Sequence, residues 1–425
     1  MHKQISTRTA QAIVISNMIG TGVFTSIGFQ LSSLHNTWII LLLWLFGGIL
    51  SLLGAFAYSE LGTRYPNSGG DYIYLSKNIH PMAGYLSAWA CLLVGFSAPV
   101  SLAAIAFTKY FPIAGLPSNV VAVIIIIIIS ALHSFTLSHS SKLQNITTLL
   151  KVVFIVVLIA IGFAAIDTSK NNAVVWNGNF WTELSSGGFA VSMIYVSFAY
   201  TGWNAAAYIA DEIKDAQYKL PKILINSTFI VTAIYLLFQI AVLYNATFTQ
   251  LEGKEEASLI AFENIVGKNG GRWIGIFIAL QLLATISSYV WVGSRVTYTM
   301  AQTYTFVPHA HKANKHQIPV TAIWIHAVIS IVMVLTGSFE KILLYAGFVL
   351  QLMTALTIAS SLLLKPTKAT FITPLKPWPQ IIFLLFSAYV LAYTMYDRPF
   401  ESCIGIGIIA LGVPFYYLGK QRKHV

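Results

Sequence analysis

Charged residues are scarce in this chain of 425 residues, because Asp, Glu, Lys and Arg together make up only 9% of it. Soluble domains carry about 25% of these residues, so a water-soluble globular protein is excluded. Hydrophobic residues account for 56% of the chain, which indicates that lipid surrounds most of it. Cysteine is also rare. Cys91 and Cys403 both lie in apolar segments, which excludes a disulfide framework and a cysteine-based metal site.

Long apolar segments dominate the sequence. A helix needs about 20 mainly apolar residues to cross a bilayer with its backbone groups satisfied internally. We therefore predict an all-α polytopic membrane protein with twelve transmembrane helices and, before the third, a short interfacial helix at 71–78. The predicted spans, numbered 1 to 12, are 10–33, 38–62, 80–110, 119–138, 143–166, 186–210, 222–245, 272–303, 318–337, 340–363, 378–396 and 400–419.

The distribution of lysine and arginine indicates the orientation of these spans. With both termini in the cytoplasm, the inner loops and tails hold most of the basic residues, as cytoplasmic loops generally do. The formal charge of +11 is then explained without a nucleic-acid partner. The first residues lack the pattern of a cleaved signal peptide, so we expect a retained cytoplasmic tail. The longest polar connections, 167–186 and 247–271, are expected outside, and neither is long enough to form a separate soluble domain.

Two spans carry glycine near their centres. Span 1 contains Gly20 and Gly22 on either side of Thr21, and span 6 contains Gly202, five spans later. Glycine destabilises a helix by about 1 kcal/mol relative to alanine, so both sites predict local unwinding. Freed backbone groups are tolerated in mid-membrane only where they line a cavity or bind a ligand. Small residues often serve helix packing instead, but a matched pair of interruptions is typical of secondary transporters built from inverted repeats.

Four stretches resemble the amino acid-polyamine-organocation family of permeases, and within it the L-type amino acid transporter branch: 20–24, 58–72, 198–204, and 211–213 followed by 220–222. The resemblance covers nearly the whole chain. It implies a fold like that of the bacterial leucine transporter, a five-plus-five inverted repeat with broken helices 1 and 6. The single transporter domain, 1–425, then comprises a first repeat at 1–166, a second at 186–363, and two additional helices at 378–419.

The resemblance also implies an amino acid site made mainly of backbone groups. The substrate carboxylate would accept from the amides of Thr21 and Gly22 at a half-helix N-terminus, which favours anions. The ammonium would donate to carbonyls of span 1 and span 6, and the ring of Phe198 would be the gate toward the outside. Predicted substrate-binding residues are Met18, Ile19, Thr21, Gly22, Phe198, Thr201 and Asn204.

Thr201 departs from the small residue that L-type relatives place here, so a smaller or more polar side-chain pocket is expected. Asn204 and Trp203 are predicted to line this pocket. Ser97 and Ser101 of span 3 are either further neighbours or helix-packing residues.

Lys151 lies well inside span 5. An isolated cation there costs about 2.5–3.5 kcal/mol, so Lys151 either snorkels to the surface or has a function. In sodium-independent relatives a lysine at this position takes the place of a sodium ion. That implies an ammonium near Gly20, with Ser287 or Ser288 of span 8 as further acceptors. Sodium would then be unnecessary, and Lys151 is either a sodium-site mimic or a proton-coupling residue.

Carboxylates are missing from the centres of all predicted spans. A cationic substrate side chain would lack a partner in a dry pocket, which is costly, so neutral substrates are favoured. Charged residues near the inner face are expected either to form ion pairs of a cytoplasmic gate or to be solvated loop charges. These residues are Glu60, Arg64, Asp211, Glu212 and Arg295. The histidines do not suggest a metal site, and no cofactor is expected.

We therefore predict a secondary transporter for small or medium neutral L-amino acids. It would be sodium-independent, would act as an exchanger or proton symporter, and would lie in the plasma membrane, in the simplest case a bacterial inner membrane. An amino acid sensor with a transporter fold and a permease for other amines are the alternatives. An enzyme is disfavoured because the spans contain no nucleophile with a base and no carboxylate pair. Animal L-type relatives join a glycoprotein through a cysteine after span 3. Residues 111–118 contain none, so no disulfide-linked heavy subunit is expected.

Overall fold

A computed structural model of the protein describes residues 5–135, 141–166, 180–304, 310–314, 318–364 and 370–419. Both chain tails and the predicted outer connection 167–186 lie wholly or partly outside these ranges. Within the described ranges the chain is helical and contains no β-strand. An isolated bridge joins Ile5 to Ile213, next to the C-terminal end of the sixth predicted span.

The described residues of the first half of the chain form eight α-helices and one π-helical turn at Cys91–Gly95. The α-helices are α1 (Thr7–Met18), α2 (Thr21–Gln30), α3 (Thr37–Arg64), α4 (Asp71–Asn78), α5 (Pro81–Ala90), α6 (Ser97–Tyr110), α7 (Ser118–Phe135) and α8 (Ser141–Ala164). The short helix expected at 71–78 is thus confirmed as α4.

In the second half, the part of the chain that the structure describes forms ten α-helices and a 3₁₀ turn at Ala210–Glu212. They are α9 (Phe180–Leu184), α10 (Gly187–Ala199), α11 (Ala205–Tyr208), α12 (Ala216–Asn245), α13 (Phe248–Leu251), α14 (Ala257–Thr303), α15 (Val320–Thr336), α16 (Phe339–Leu362), α17 (Trp378–Asp397) and α18 (Pro399–Leu418).

Nine helical stretches of the described chain are long and apolar enough to cross a membrane. They are Thr7–Gln30, Thr37–Arg64, Pro81–Tyr110, Ser118–Phe135, Ala216–Asn245, Ala257–Thr303, Phe339–Leu362, Trp378–Asp397 and Pro399–Leu418. Three shorter apolar segments, Thr148–Ala164 of α8, Gly187–Ala199 and Val320–Thr336, coincide with predicted spans 5, 6 and 9. The all-helical, multi-pass membrane architecture is therefore confirmed.

The segment 247–271 differs from its prediction as a polar connection. It contains α13, and α14 already begins at Ala257. Ala257, Ala261 and Phe262 are fully buried, and this spacing places them on one face of a helix. Gly267, with φ of +71°, interrupts α14 before the main span begins. The buried face explains why a stretch with several charges is helical.

The packing brings the interruptions of the two glycine-containing spans together. Helix α1 packs against α8 and α12, whereas α2 packs against α10 and α14. The break between α1 and α2 consequently lies beside the break between α10 and α11, with α12 and α14 flanking both.

Candidate functional site

The first span is interrupted where its glycine pattern predicts. Helix α1 ends at Met18, Ile19 has ψ of 87°, and Gly20 has φ of −131° and ψ of −150°. No side chain caps the start of α2 at Thr21. The first amides of a helix have no intrahelical acceptor, so this N-terminus, buried within the protein, can bind an anion.

The sixth predicted span is interrupted after Ala199. Gly202 has φ of +96°, a conformation that favours glycine, and a Cβ on it would lie 2.8 Å from Cβ of Asn17. A Cβ on Gly22 would lie 2.4 Å from Cα of Ala199. Two glycines thus allow the interrupted helices to touch. The sequence pattern predicts that Gly22 loosens the helix. In the structure it lies within α2 and instead allows this close contact with Ala199.

Lys151 is buried, with 2% of its surface exposed. Its Nζ donates to the carbonyls of Ser16 and Ile19, at 3.2 and 3.3 Å, and to Oγ1 of Thr285 at 3.0 Å. The ammonium therefore bridges the end of α1 to α14, and the snorkelling alternative does not describe this structure.

The predicted serine acceptors of α14 have other partners. Ser287 lies 2.8 Å from Nε2 of His133, and Ser288 donates to Asn17 Oδ1 at 3.5 Å. Successive helical residues are rotated by about 100°, so the face of α14 that carries Thr285 reaches Lys151, while Ser287 faces another helix.

Two tyrosines that the sequence did not single out bind the same interruptions. Tyr235 of α12 places its hydroxyl at hydrogen-bond distance from the carbonyl of Met18 and, at 3.1 Å, from that of Ala199. Tyr289 of α14 donates to the carbonyl of Asn17 at 3.2 Å. Buried tyrosine hydroxyls usually find a hydrogen-bond partner, but nothing in the sequence indicates which one these two bind.

Several carbonyls predicted to receive the substrate ammonium already accept protein donors. Tyr235 bonds to Met18, Lys151 bonds to Ile19, and Thr201 Oγ1 donates to the carbonyl of Phe198 at 2.7 Å. Each carbonyl has a second lone pair, so a substrate would share these acceptors with the protein. The Thr201 hydroxyl, which lies in the interruption, thus bonds back to the last turn of α10.

A small central cavity of about 70 Å³ lies beside the interruptions. Its polar lining residues are Asn17, Asp71, Cys91, Thr201, Asn204, Tyr208, Tyr289 and Thr354. Thr201, Trp203 and Asn204 line this cavity, whereas Phe198 lines a neighbouring cavity of about 30 Å³ that shares Thr201 and Trp203 with it.

Ser97 and Ser101 follow the packing alternative. Ser97 Oγ lies 2.9 Å from Nδ1 of His326, and Ser101 donates to the carbonyl of Ser330 at 3.0 Å. Both serines join α6 to α15 and do not line the central cavity.

Asp71 is the main residue that sequence reasoning missed. It begins α4, outside the spans, and is only 3% exposed. Its carboxylate accepts from the hydroxyl of Tyr58 and, at 2.9 Å, from that of Tyr208. Burial raises the pKa of Asp71 to about 6, although the two hydrogen bonds oppose this. The Tyr74 phenol and the Cys91 thiol also lie near this carboxylate. Because Asp71 belongs to a polar segment, a search for carboxylates within spans did not find it.

Comparison with known proteins identifies the family. The sequence profile described as amino acid permease matches residues 5–416, which is nearly the whole chain. The chain belongs to the amino acid permease family. This membership identifies the chain as a transporter and excludes the enzyme alternative, and the resemblance to the L-type branch is confirmed by the relatives below.

The relatives of this permease are amino acid transporters. Large neutral amino acids transporter small subunit 2 of Mus musculus is 26% identical over 443 residues, covering 100% of the permease and 82% of the relative. Asc-type amino acid transporter 1 of Mus musculus is 26% identical, covering 99% of the permease and 81% of the relative. The b(0,+)-type amino acid transporter 1 of Homo sapiens is 25% identical, covering 100% of the permease and 89% of the relative.

A third cavity of the permease, about 660 Å³, is here called the vestibule. Tyr208, Asp211, Glu212 and Arg295 are among its lining residues. The Arg295 guanidinium lies 3.5 Å from the ring centroid of Trp291. Three of the five predicted gate residues therefore surround one opening.

The two remaining gate candidates lie on α3. Glu60 is buried and pairs with Lys376 at 2.7 Å, and its other oxygen accepts from the amide of Thr373 at 3.3 Å. Arg64 is the last residue of the helix. Glu60 thus joins α3 to the segment before α17, because that segment folds back under the helix.

Proposed function

We propose that this permease is an alternating-access carrier for small or medium neutral L-amino acids. The observation that carries the proposal is the contact between the two interrupted helices, with a central cavity lined by Asn17 of α1 and by residues 201–204 of the second interruption. The start of α2 at Thr21 has no side-chain cap. An amide end and a set of carbonyl ends suit the carboxylate and ammonium of one zwitterion. As predicted substrate-binding residues, Met18, Ile19, Thr21, Gly22 and Phe198 would act mainly through their backbones, and Thr201 and Asn204 would line the side-chain pocket.

The proposed architecture has twelve spans with both termini in the cytoplasm of a bacterial cell. Nine long and three shorter apolar helices within the described ranges support that count. The interruptions occur in the first span of 1–166 and in the first span of 186–363, as expected of two inverted repeats. The helices at 378–419 would then lie outside the repeats.

Sodium independence is proposed from Lys151. Its ammonium supplies a positive charge between the carbonyls of Ser16 and Ile19 and the hydroxyl of Thr285. A sodium ion in a transporter would be held by similar oxygen ligands, so a fixed cation here makes sodium unnecessary. Exchange and proton symport are both compatible with this arrangement.

The hydrogen bonds of Asp71 support neutral substrates. Among the described residues, Asp71 is the one carboxylate that lines the central cavity. Both oxygens of Asp71 already accept from tyrosine hydroxyls, so Asp71 is not arranged as a free counter-charge. The cavity of about 70 Å³ favours small side chains. Two of the relatives carry names that refer to large neutral and Asc-type amino acid transport.

We propose that the carrier acts without a disulfide-linked subunit, because residues 111–118 lack cysteine.

The decisive experiment is uptake of labelled alanine, serine, leucine, glutamate and lysine into proteoliposomes. Each would be measured with and without sodium, a proton gradient and internal amino acid. We expect uptake of the small neutral amino acids at rates that do not depend on sodium. Preferential lysine uptake would refute the substrate class, and substrate binding without flux would indicate a sensor. Stimulation by internal amino acid would identify exchange.

A further inference from the structure

Residues 68–71, Ser-Gly-Gly-Asp, bind the inner half of the sixth predicted span. The amide of Ser68 donates to Asp211 Oδ2 and the amide of Asp211 donates to Ser68 Oγ, both at 3.0 Å. The amide of Gly69 donates to the carbonyl of Tyr208 at 3.2 Å. The hydroxyl of Tyr208 donates to Asp71 Oδ2 at 2.9 Å. Four hydrogen bonds therefore connect three of these four residues to the region of α11 and the following 3₁₀ turn.

The glycines of this segment make room for the ring of Tyr208. Gly70 has φ of +52°, and a Cβ on it would lie 2.8 Å from Cδ1 and from Cε1 of Tyr208. Any larger residue would overlap the ring. The Ser-Gly-Gly-Asp sequence is thus shaped to hold one particular side chain.

Asp71 connects this side chain to a long helix. One carboxylate oxygen accepts from Tyr58 of α3, and the other accepts from Tyr208 of α11. Hydrogen bonds to a carboxylate are roughly twice as strong as neutral ones. Helix α11, Ala205–Tyr208, is only four residues long and follows an interruption, so external contacts must provide much of its stability.

Tyr208 stands between the central cavity and the vestibule. It lines both of them, together with Val292. Cys91 lines the central cavity, and its Sγ lies 3.8 Å from the hydroxyl of Tyr208. Movement of the Tyr208 ring would therefore join the two spaces and expose Cys91 to the vestibule.

We propose that Tyr208 is a gate between the central cavity and the vestibule, and that residues 68–71 form a clasp that holds this gate closed. Asp71 is the positioning residue of the clasp. The transport role of the gate rests on the proposed function, but its opening does not, because the reactivity of Cys91 reports it directly.

The test measures how fast a membrane-impermeant maleimide modifies Cys91. Replacing Cys403 by serine leaves Cys91 as the single thiol, since the chain has two cysteines. In this background, Tyr208→Phe removes the hydrogen bond to Asp71, and Asp71→Asn replaces the charged acceptor by a weaker neutral one. Loss of a hydrogen bond to a charged group shifts an equilibrium by about tenfold or more. We therefore expect modification to be about tenfold faster in both variants when the reagent is added from the vestibule side.

Tyr74→Phe is the matched control. Tyr74 lies on α4 close to Asp71, and its buried hydroxyl has no hydrogen-bond partner among the described residues. Its replacement is expected to leave the modification rate unchanged. Ser68→Ala, at the more exposed end of the clasp, gives a second perturbation should Asp71→Asn fail to fold, with an expected rise of a few-fold.

The outcomes separate the two proposals. Equal modification rates in Tyr208→Phe and the parent would overturn the gate, and so would an equal acceleration in Tyr74→Phe. Faster modification in the clasp variants of a protein that shows no amino acid flux would support the gate and refute the proposed function.

Discussion

Replacing Lys151 with methionine tests the centre of the site. The substitution keeps an unbranched side chain but removes the charge that binds Ser16, Ile19 and Thr285. Each buried acceptor that loses its donor costs about 1–3 kcal/mol, or roughly 3–9 kcal/mol for three. Removing a buried cation recovers about 2.5–3.5 kcal/mol. The net free-energy cost of keeping the observed geometry of the α1 break is therefore about 3 kcal/mol. This corresponds to about a hundredfold change in the equilibrium constant between this geometry and others.

The assay is the initial rate of labelled amino acid uptake into proteoliposomes. We expect Lys151→Met to reduce the rate by about a hundredfold, with folded protein still recovered on size-exclusion chromatography. Lys341→Met removes an exposed lysine from the first turn of α16 and should leave uptake unchanged. In Lys151→Ala, where the truncated side chain leaves space for an ion, added sodium should restore part of the rate. Full transport by Lys151→Met at unchanged pH dependence would refute the reasoning.

Two further predictions concern glycine and pH. Gly22→Ala should abolish recovery of monodisperse protein, because the new Cβ would lie 2.4 Å from Cα of Ala199 and overlap it. Gly20→Ala should still be recovered, since its Cβ would meet no atom closer than 3.6 Å. Equal recovery of both variants would refute this packing. Efflux of preloaded substrate should accelerate as the pH on the vestibule side falls through about 6, the pKa of Asp71. Protonation of Asp71 removes the negative charge that strengthens the hydrogen bond from Tyr208. Asp71→Asn should make efflux independent of pH over this range, and a persisting dependence would assign the effect to another group.

The spans and their interruptions could be predicted from the sequence, but most of the hydrogen-bond partners of the site residues could not. Apolar length fixes where a helix crosses the membrane, and Gly20 and Gly202 mark the two breaks because an interrupted helix leaves a local signature. The hydrogen-bond partner of Lys151 depends instead on how α14 is rotated. In an all-apolar helix the lipid-facing and protein-facing sides are composed alike, so the sequence does not distinguish Thr285 from Ser287.

Asp71 shows a second limit. A charged residue between two spans is normally solvated, and nothing nearby in the sequence indicates burial. Its burial arises from the turn at Gly70 and from Tyr58 and Tyr208, which approach from distant parts of the chain. The motif that contains Asp71 supported the family resemblance, but its contact with α11 required the three-dimensional arrangement.

The hydroxyl of Tyr235 lies within reach of two carbonyls but carries one proton. At any instant it donates fully either to Met18 or to Ala199, and the other oxygen is left available. A small shift of α12 would therefore move the hydrogen bond of Tyr235 from one carbonyl to the other. The two interrupted helices cannot change their bonding independently, because they draw on the same hydrogen atom.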